Sequence, residues 1–464
     1  VNDKERKMLR IGTAQAVITP PIGTPLAGYF SPRPSQGIHD DLYCRALVLD
    51  DGETVLAHVA CDLISVRRAL VAEVRRLVEE ATGIPGERVA VSATHIHTGP
   101  YTSRLLKGGT DSSYLAILPR TIAGAVIAAY HSRSEGRLGI GSGHVESIAF
   151  NRRYVMRDGG VRTNPGVLNP DIVAPAGPID PQLGVLKATD PAGNPRALWV
   201  NYTVHTDVVG GEFISADYPG YLARAVQAVL GPQVIVPYAN GASGDLNHIN
   251  VKGPGAAPEE QRGQEHARWM GTILAGEALR VFMETPTTDE VRLDAASETF
   301  TIPVREVPAD LQAWARERLA RAEAKRAAAE DDPATDPYHG AVDSSEFVED
   351  FYAWAALQVA KEREEEPEVT AEVQVFRIGD AAICFNPAEL FVAFGLRMKE
   401  ASPFQPTFVV ELANACVGYV PTPEAFTQGG YEPRTAPSSK LVPEAGDQIT
   451  EVTLKLLRQL DARR

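Results

Sequence analysis

From Val66 to Ala81 the apolar residues Leu70, Val71, Val74, Leu77 and Val78 fall on one face at helical spacing, which predicts an amphipathic helix stopped near Gly83 and Pro85. Arg45 to Asp50 and Thr54 to Cys61 are short apolar runs about the turn Asp51-Gly52 and read as paired strands. The same rhythm continues along the chain. Strands are expected at Arg88 to Ala93, Leu198 to Val204, Gln233 to Tyr238, Asp380 to Phe385 and Thr407 to Leu412. Helices are expected at Leu118 to Tyr130, Tyr218 to Leu230, Glu265 to Phe282, Glu389 to Lys399 and Asp447 to Leu460. Strands alternating with helical stretches give an α/β fold class.

One segment departs from this rhythm. From about Pro308 to Glu366 alanine and charge dominate, with an acidic, proline-containing gap near Asp331 to Pro337, so residues 306–366 read as a helical hairpin inserted between strands. Such a hairpin serves as a solvated excursion, as a lid, or as an arm through which the chain forms a homo-oligomer. The expected organisation is a single catalytic unit over residues 1–464 that carries this insertion.

Composition narrows the function classes. Lys and Arg number 45 against 60 Asp and Glu, a formal charge of −15, which argues against nucleic acid as a partner. The four cysteines, Cys44, Cys61, Cys384 and Cys416, lack paired metal or redox spacing and are expected to be reduced. The longest apolar runs, such as Ala123 to Ala129, are far shorter than the roughly 18 residues of a membrane span, so no transmembrane segment is expected. The start is polar and begins at Val1, which leaves a removed signal open. A cytoplasmic location is favoured over a secreted one.

In open α/β sheets ligands gather beyond the carboxyl ends of strands. Asp62 follows one predicted strand, and Thr94-His95-Ile96-His97-Thr98-Gly99-Pro100 follows the next. His205 and Asp207, Asn240 to Asp245, Asn386 to Glu389, and Asn414 with Tyr419 follow the others. His95 and His97, as i and i+2 on an extended strand, would face the same side. Two histidines and a carboxylate with an open position are the ligand set of catalytic zinc sites, so Zn²⁺ is the expected cofactor. Nucleophile alternatives are weaker. Gly241-Ala242-Ser243-Gly244-Asp245 lacks the spacing of a serine elbow, and no phosphate-cradling or dinucleotide glycine motif follows a strand.

Ile11 to Gly23, Gly37-Ile38-His39 with Tyr43 to Ala46, and Ser92-Ala93-Thr94-His95-Ile96-His97-Thr98-Gly99-Pro100 resemble the neutral/alkaline ceramidase family, the last of these being the most specific match. Asn151-Arg152-Arg153, Gly244-Asp245-Leu246, Pro387-Ala388-Glu389 and Asn414 to Tyr431 are similar to later blocks of that family in the same order. The resemblance implies a mixed-sheet catalytic domain with zinc held by His95, His205, Glu389 and Tyr419. It implies His97 facing the substrate, with Tyr431 and Arg152 lining the active site. Asp62 joins the candidate catalytic residues by its strand-end position alone.

Two departures from the family stand out. Its loop after the central strand carries an active-site serine, where this chain has Asn247-His248, with Ser243 and His248 as candidate replacements. Its carboxy-terminal β-sandwich is expected to be lacking. The expected activity is zinc-dependent hydrolysis by metal-activated water, on an amide (N-acyl) bond of a small-molecule substrate other than ordinary ceramide. A carbohydrate-active enzyme on the same site and an inert metal-containing binding protein are the alternatives.

Overall fold

The computed structural model describes residues 8–29, 33–102, 110–328 and 345–463. Three larger sheets organise it. In the first, Val89–Ala93, Val55–Cys61, Tyr43–Asp50, Arg10–Val17 and Ser134–Glu135 lie side by side. The second runs Tyr238–Asn240, Pro195–Tyr202, Gln182–Thr189, Arg137–His144, and the third Leu293–Pro303, Glu368–Ile378, Ala381–Phe385, Thr407–Val410. Each sheet is antiparallel except at one edge, where Val55–Cys61 pairs with Val89–Ala93, Pro195–Tyr202 with Tyr238–Asn240, and Ala381–Phe385 with Thr407–Val410 in parallel.

Those parallel edges are laced together. Ala93 N–H donates to Leu412 O (3.1 Å), Asn414 N–H to Val91 O (2.8 Å) and Glu411 N–H to Asn240 O (2.9 Å). Strand ends from all three sheets are thereby brought to one place. Behind them Leu47, Leu49 and Leu56 of the first sheet pack with Leu186 and Trp199 of the second and Phe376, Ile383, Phe385 and Phe408 of the third.

Helices cover the outer faces. The first sheet carries α1 (Arg68–Thr82) and α2 (Ser112–His131), and the second carries α3 (Asp217–Leu230) and α4 (Gly263–Glu284). Between Leu293–Pro303 and Glu368–Ile378, paired antiparallel along their whole length, the chain forms α5 (Ala309–Ala328) and α6 (Ser345–Glu365). These two helices pack together through Ala315, Ala353, Ala356 and Val359. The predicted gap of the hairpin, Asp331 to Pro337, lies outside the described residues. After α7 (Val392–Glu400) and α8 (Pro423–Gln428), α9 (Ala445–Asp461) packs on the third sheet through Ile449, Leu456, Leu457 and Leu460.

Several boundaries differ from the sequence reading, each for a local reason. α2 starts at Ser112 rather than Leu118, because the Asp111 carboxylate accepts from the amides of Ser113 and Tyr114 and caps it. α2 is long and apolar enough to cross a membrane, yet Leu118, Ile122, Ala123, Val126 and Ala129 lie in the first sheet's core. The strand expected at Gln233 to Tyr238 pairs regularly only at Tyr238–Asn240, since Pro237 has no N–H to donate to the ladder. Glu389 is not on a helix. Glu389–Leu390 pair in parallel with Tyr419–Val420, and α7 begins only at Val392.

His58 sits fully inside, accepting from Trp199 Nε1 at Nδ1 (2.9 Å) with Nε2 2.9 Å from Ser92 Oγ. Burial pushes its pKa down to about 3. Between the unfolded value of about 6.5 and that folded value, the unfolded chain holds a proton the native state lacks, so stability falls as pH falls. From pH 7 to pH 5 this one group costs about 2 kcal/mol. His58→Gln keeps a neutral acceptor for Trp199 and is expected to flatten the acid limb by that amount in denaturant titrations. An unchanged limb would refute the assignment.

Candidate metal centre

The strand Val89–Ala93 ends before the histidine pair, so His95 and His97 do not share the face of a strand. His95 instead takes φ +68, a left-handed conformation uncommon for a side chain of this size, and the turn aims both rings inward. His205 arrives from the loop after Pro195–Tyr202, and Glu389 from the short strand paired with Tyr419–Val420.

Around His95 Nε2 lie His205 Nε2 at 3.1 Å, His97 Nε2 at 3.4 Å and Glu389 Oε2 at 3.3 Å. Tetrahedral ligands at about 2.0–2.1 Å from a zinc ion are about 3.3 Å apart, so these separations are those of donors around one ion. Protonation states agree. His95 Nδ1 is 2.8 Å from Ile64 O and His97 Nδ1 is 3.1 Å from Gly28 O. A carbonyl only accepts, so it assigns the proton of each neutral ring to Nδ1 and leaves Nε2 as a lone pair. Two such lone pairs facing each other call for a cation between them.

Electrostatics favour the ligating form at His205, His97 and Glu389. Burial, reinforced by the Arg152 guanidinium, holds the His205 imidazole well below its ordinary pKa, and burial pushes His97 down to about 4. For His95 burial is the largest influence and acts downward, but the Glu389 and Glu411 carboxylates and the Ile64 carbonyl together outweigh it, so the net direction is up, toward a protonated form whose proton a bound cation would displace. Burial by itself raises Glu389, and His95, Tyr419 and Arg152 reverse that, so it stays ionised. Among the described residues Glu389 Oε2 makes no hydrogen bond of good geometry, although it is buried. A buried carboxylate oxygen left in this way and three converging imidazoles fit a divalent cation.

Two glycines make room for this group. A Cβ on Gly28 would lie 2.4 Å from His97 Nδ1, and one on Gly244 would lie 2.5 Å from the Glu389 carbonyl.

Tyr419, Tyr431 and Arg152 border the same donors. Arg152 Nη2 donates to Tyr419 Oη (3.2 Å) and to Gly244 O (2.7 Å), while its Nε donates to Glu432 (2.8 Å). The Tyr419 and Tyr431 rings meet edge to face at 5.6 Å; Tyr431 is more than a third exposed as a residue, while desolvation of its hydroxyl end and the Glu389 charge push that group up to about 12. A pocket of about 70 Å³ opens here, lined by His95, His97, Glu389, Tyr419 and Tyr431 together with Ile64, Ser65, Tyr101 and Cys416.

Asp62 is not part of this group. Its carboxylate is paired with Arg45 (2.8 Å), accepts from Tyr43 N (2.9 Å) and lies under the turn at Thr94. Ser243 donates to Glu411 (2.6 Å), so its hydroxyl is committed inside the core. His248 is buried against His266, with ring centroids 5.5 Å apart, and Asn247 donates to Asn164.

Three participants escaped the sequence reading. Asp207, noted there only as a strand-end residue, accepts from Tyr29 (2.5 Å) and stands 3.7 Å from His97 Nδ1. Glu411, a charge at the end of an apolar strand, was a readable signal. Glu432, fully buried between Arg152 and Arg153, offered none in its sequence surroundings.

A family model described as neutral/alkaline non-lysosomal ceramidase, N-terminal, matches residues 9–267. Neutral ceramidase of Pseudomonas aeruginosa is 26% identical over 454 residues, covering 88% of this chain and 66% of that protein. The chain therefore spans about two thirds of that relative's length. The crystal structure of neutral ceramidase from Pseudomonas aeruginosa superposes with a TM-score of 0.72 at 20% identity over 98% of this chain and 75% of that one. A ceramidase complexed with C2 superposes equally well, again over 98% of this chain. These superpositions show a shared fold.

Proposed function

This chain belongs to the neutral/alkaline non-lysosomal ceramidase family, and from that membership we propose that it is a zinc-dependent hydrolase of an amide (N-acyl) bond in a substrate other than ordinary ceramide. The observation that carries the reading is the convergence of His205 Nε2, His97 Nε2 and Glu389 Oε2 on His95 Nε2 at 3.1–3.4 Å beside a pocket. What zinc supplies in such a site is Lewis acidity toward a carbonyl oxygen and a water made nucleophilic near neutral pH.

In this proposal His95, His205, Glu389 and Tyr419 hold the ion. Tyr419 is favoured as the fourth donor because Arg152 donates to its oxygen and offsets part of the burial and the Glu389 charge that otherwise hold its proton on; a bound cation would supply the rest. His97, whose Nε2 is the farthest of the three donors from His95 Nε2, is assigned to proton transfer rather than to ligation, since the Asp207 carboxylate stands beside its Nδ1 and would stabilise the imidazolium. Tyr431, which lines the pocket and keeps its proton at neutral pH, is assigned to donate to a developing oxyanion. Arg152 orients Tyr419, and Asp62 acts as a positioning group through Arg45 and the turn at Thr94.

Two observations favour an acyl amide that is not ordinary ceramide. The pocket wall at Ile64, Tyr101 and Cys416 is apolar or aromatic, which suits an acyl group better than a sugar. Where the family resemblance expects a serine, Asn247 is engaged with Asn164 and supplies no hydroxyl.

The native protein is expected to carry about one zinc per chain and to turn over N-acyl amides but not glycosides or uronides. His97→Ala is expected to retain zinc and lose roughly 10²–10⁴-fold in kcat. Tyr419→Phe is expected to release zinc more readily in a chelator competition. Turnover of glycosides alone would replace this reading with the carbohydrate one. Full zinc with no turnover of either class would leave an inert binding protein.

A further inference from the structure

The pocket wall at Tyr431 and Ser438 belongs to a strap, residues 429–440, that has little support of its own. It contains no helix or ladder strand, and its turns close through Arg434 N–H to Tyr431 O (3.2 Å) and Ser439 N–H to Ala436 O (2.7 Å). Its inner side faces the site. Glu432 is bonded to Arg152 and Arg153, and Ser438 O accepts from Tyr419 N (2.7 Å).

Its outer side is held by α6. Arg434 donates to Glu349 (2.6 Å), and its guanidinium lies 3.8 Å from the centre of the Tyr352 ring. Ala436 is buried with Phe351, Tyr352 and Ala355, and Lys440 donates to Glu362 (2.6 Å). Arg305, just before α5, donates to the carbonyls of Pro433 and Ser439. The helical segment that composition left as a solvated excursion, a lid or an oligomerisation arm thus grips the back of the segment that carries Tyr431.

We infer that the helix pair α5 and α6 is a brace for the active-site strap, with Arg434, Glu349 and Tyr352 as positioning residues that fix Tyr431 and Tyr419 at the metal pocket. A cation clamped between a carboxylate and an aromatic face restrains both the direction and the depth of a loop, which a single surface ion pair does not do. The inference rests on the amidase reading only for what turnover is measured. Restraint of the strap is a separate observable.

Two measurements test it on the full chain. In Arg434→Met, hydrogen–deuterium exchange over residues 429–440 is expected to rise at least tenfold, with α1 to α4 unchanged. On the N-acyl amide that the native protein turns over, kcat is expected to fall at least tenfold with KM within twofold and zinc content unaltered. Arg434→Lys keeps a cation for Glu349 and the ring and is expected to restore most of both losses. Glu349→Gln, a milder change at a half-exposed position, is expected to shift both readouts in the same direction. Native exchange rates in the strap of both Arg434→Met and Glu349→Gln would overturn the brace, as would faster exchange with native kcat. A native protein that hydrolyses no amide would overturn the amidase reading alone, and strap exchange would still decide the brace.

Discussion

Replacement of His95 by alanine is expected to remove zinc from the protein and to lower amide turnover by roughly 10³-fold or more, the equivalent of several kcal/mol of lost transition-state stabilisation. The size follows from geometry. His205, His97 and Glu389 all lie 3.1–3.4 Å from His95 Nε2, so deleting it removes a shared neighbour of the donor set. Its ring is also prepared for the task, with Nδ1 anchored on Ile64 O and the backbone held at φ +68. Because His95 is itself buried, the metal-free native and variant proteins are compared to separate loss of the site from loss of the fold. Elemental analysis should show zinc falling from about one per chain toward none, and the metal-free native and variant proteins should melt within a few degrees of each other. Zinc retained in His95→Ala at the native level would sink the proposed centre.

Glu432→Ala carries the largest expected effect on stability, about 3–5 kcal/mol. Glu432 is fully buried and accepts from Arg152 (2.8 Å), Arg153 (3.0 Å) and Thr163 (2.9 Å). Its removal leaves two guanidinium groups inside the protein with their neutralising charge gone, and breaking a buried pair costs far more than forming one contributes. Glu432→Gln preserves shape and one acceptor and is expected to recover part of the loss. Chemical denaturation of the metal-free chain measures the difference without interference from metal binding. A loss under about 1 kcal/mol would mean that the arginines find other partners and that the cluster is not the keystone of the strap. The same variant should lower turnover, because Arg152 would no longer be aligned on Tyr419.

How much of this was readable beforehand can be judged residue by residue. The amphipathic spacing of α1, α3, α4 and α9 was legible because one face of each helix packs on a sheet, and that demand writes a local period into the chain. The strand-end rule found His95, His205 and Glu389 for the same kind of reason. The same rule also picked Asp62, which ends a strand but is turned to Arg45 rather than to the donors, and the i, i+2 argument for His95 and His97 failed because the chain had already left the strand. Glu389 was read onto a helix because pairing with Tyr419, 30 positions away in sequence, leaves no local trace.

By itself the sequence determined the α/β class, the acidic charge that argues against nucleic acid, and the presence of imidazole and carboxylate groups suited to zinc. Tertiary structure alone decided which of those groups meet. His95 and His205 are 110 positions apart and Arg152 and Glu432 are 280 apart, so their contacts follow from how three sheets dock along their parallel edges. It also decided that the serine in the glycine turn is committed to Glu411 and that the charged helix Ser345–Glu365 grips the strap beside the pocket. Periodicity reports the environment of one face of one element. Distances between elements come from packing across the core, which no short window of sequence contains.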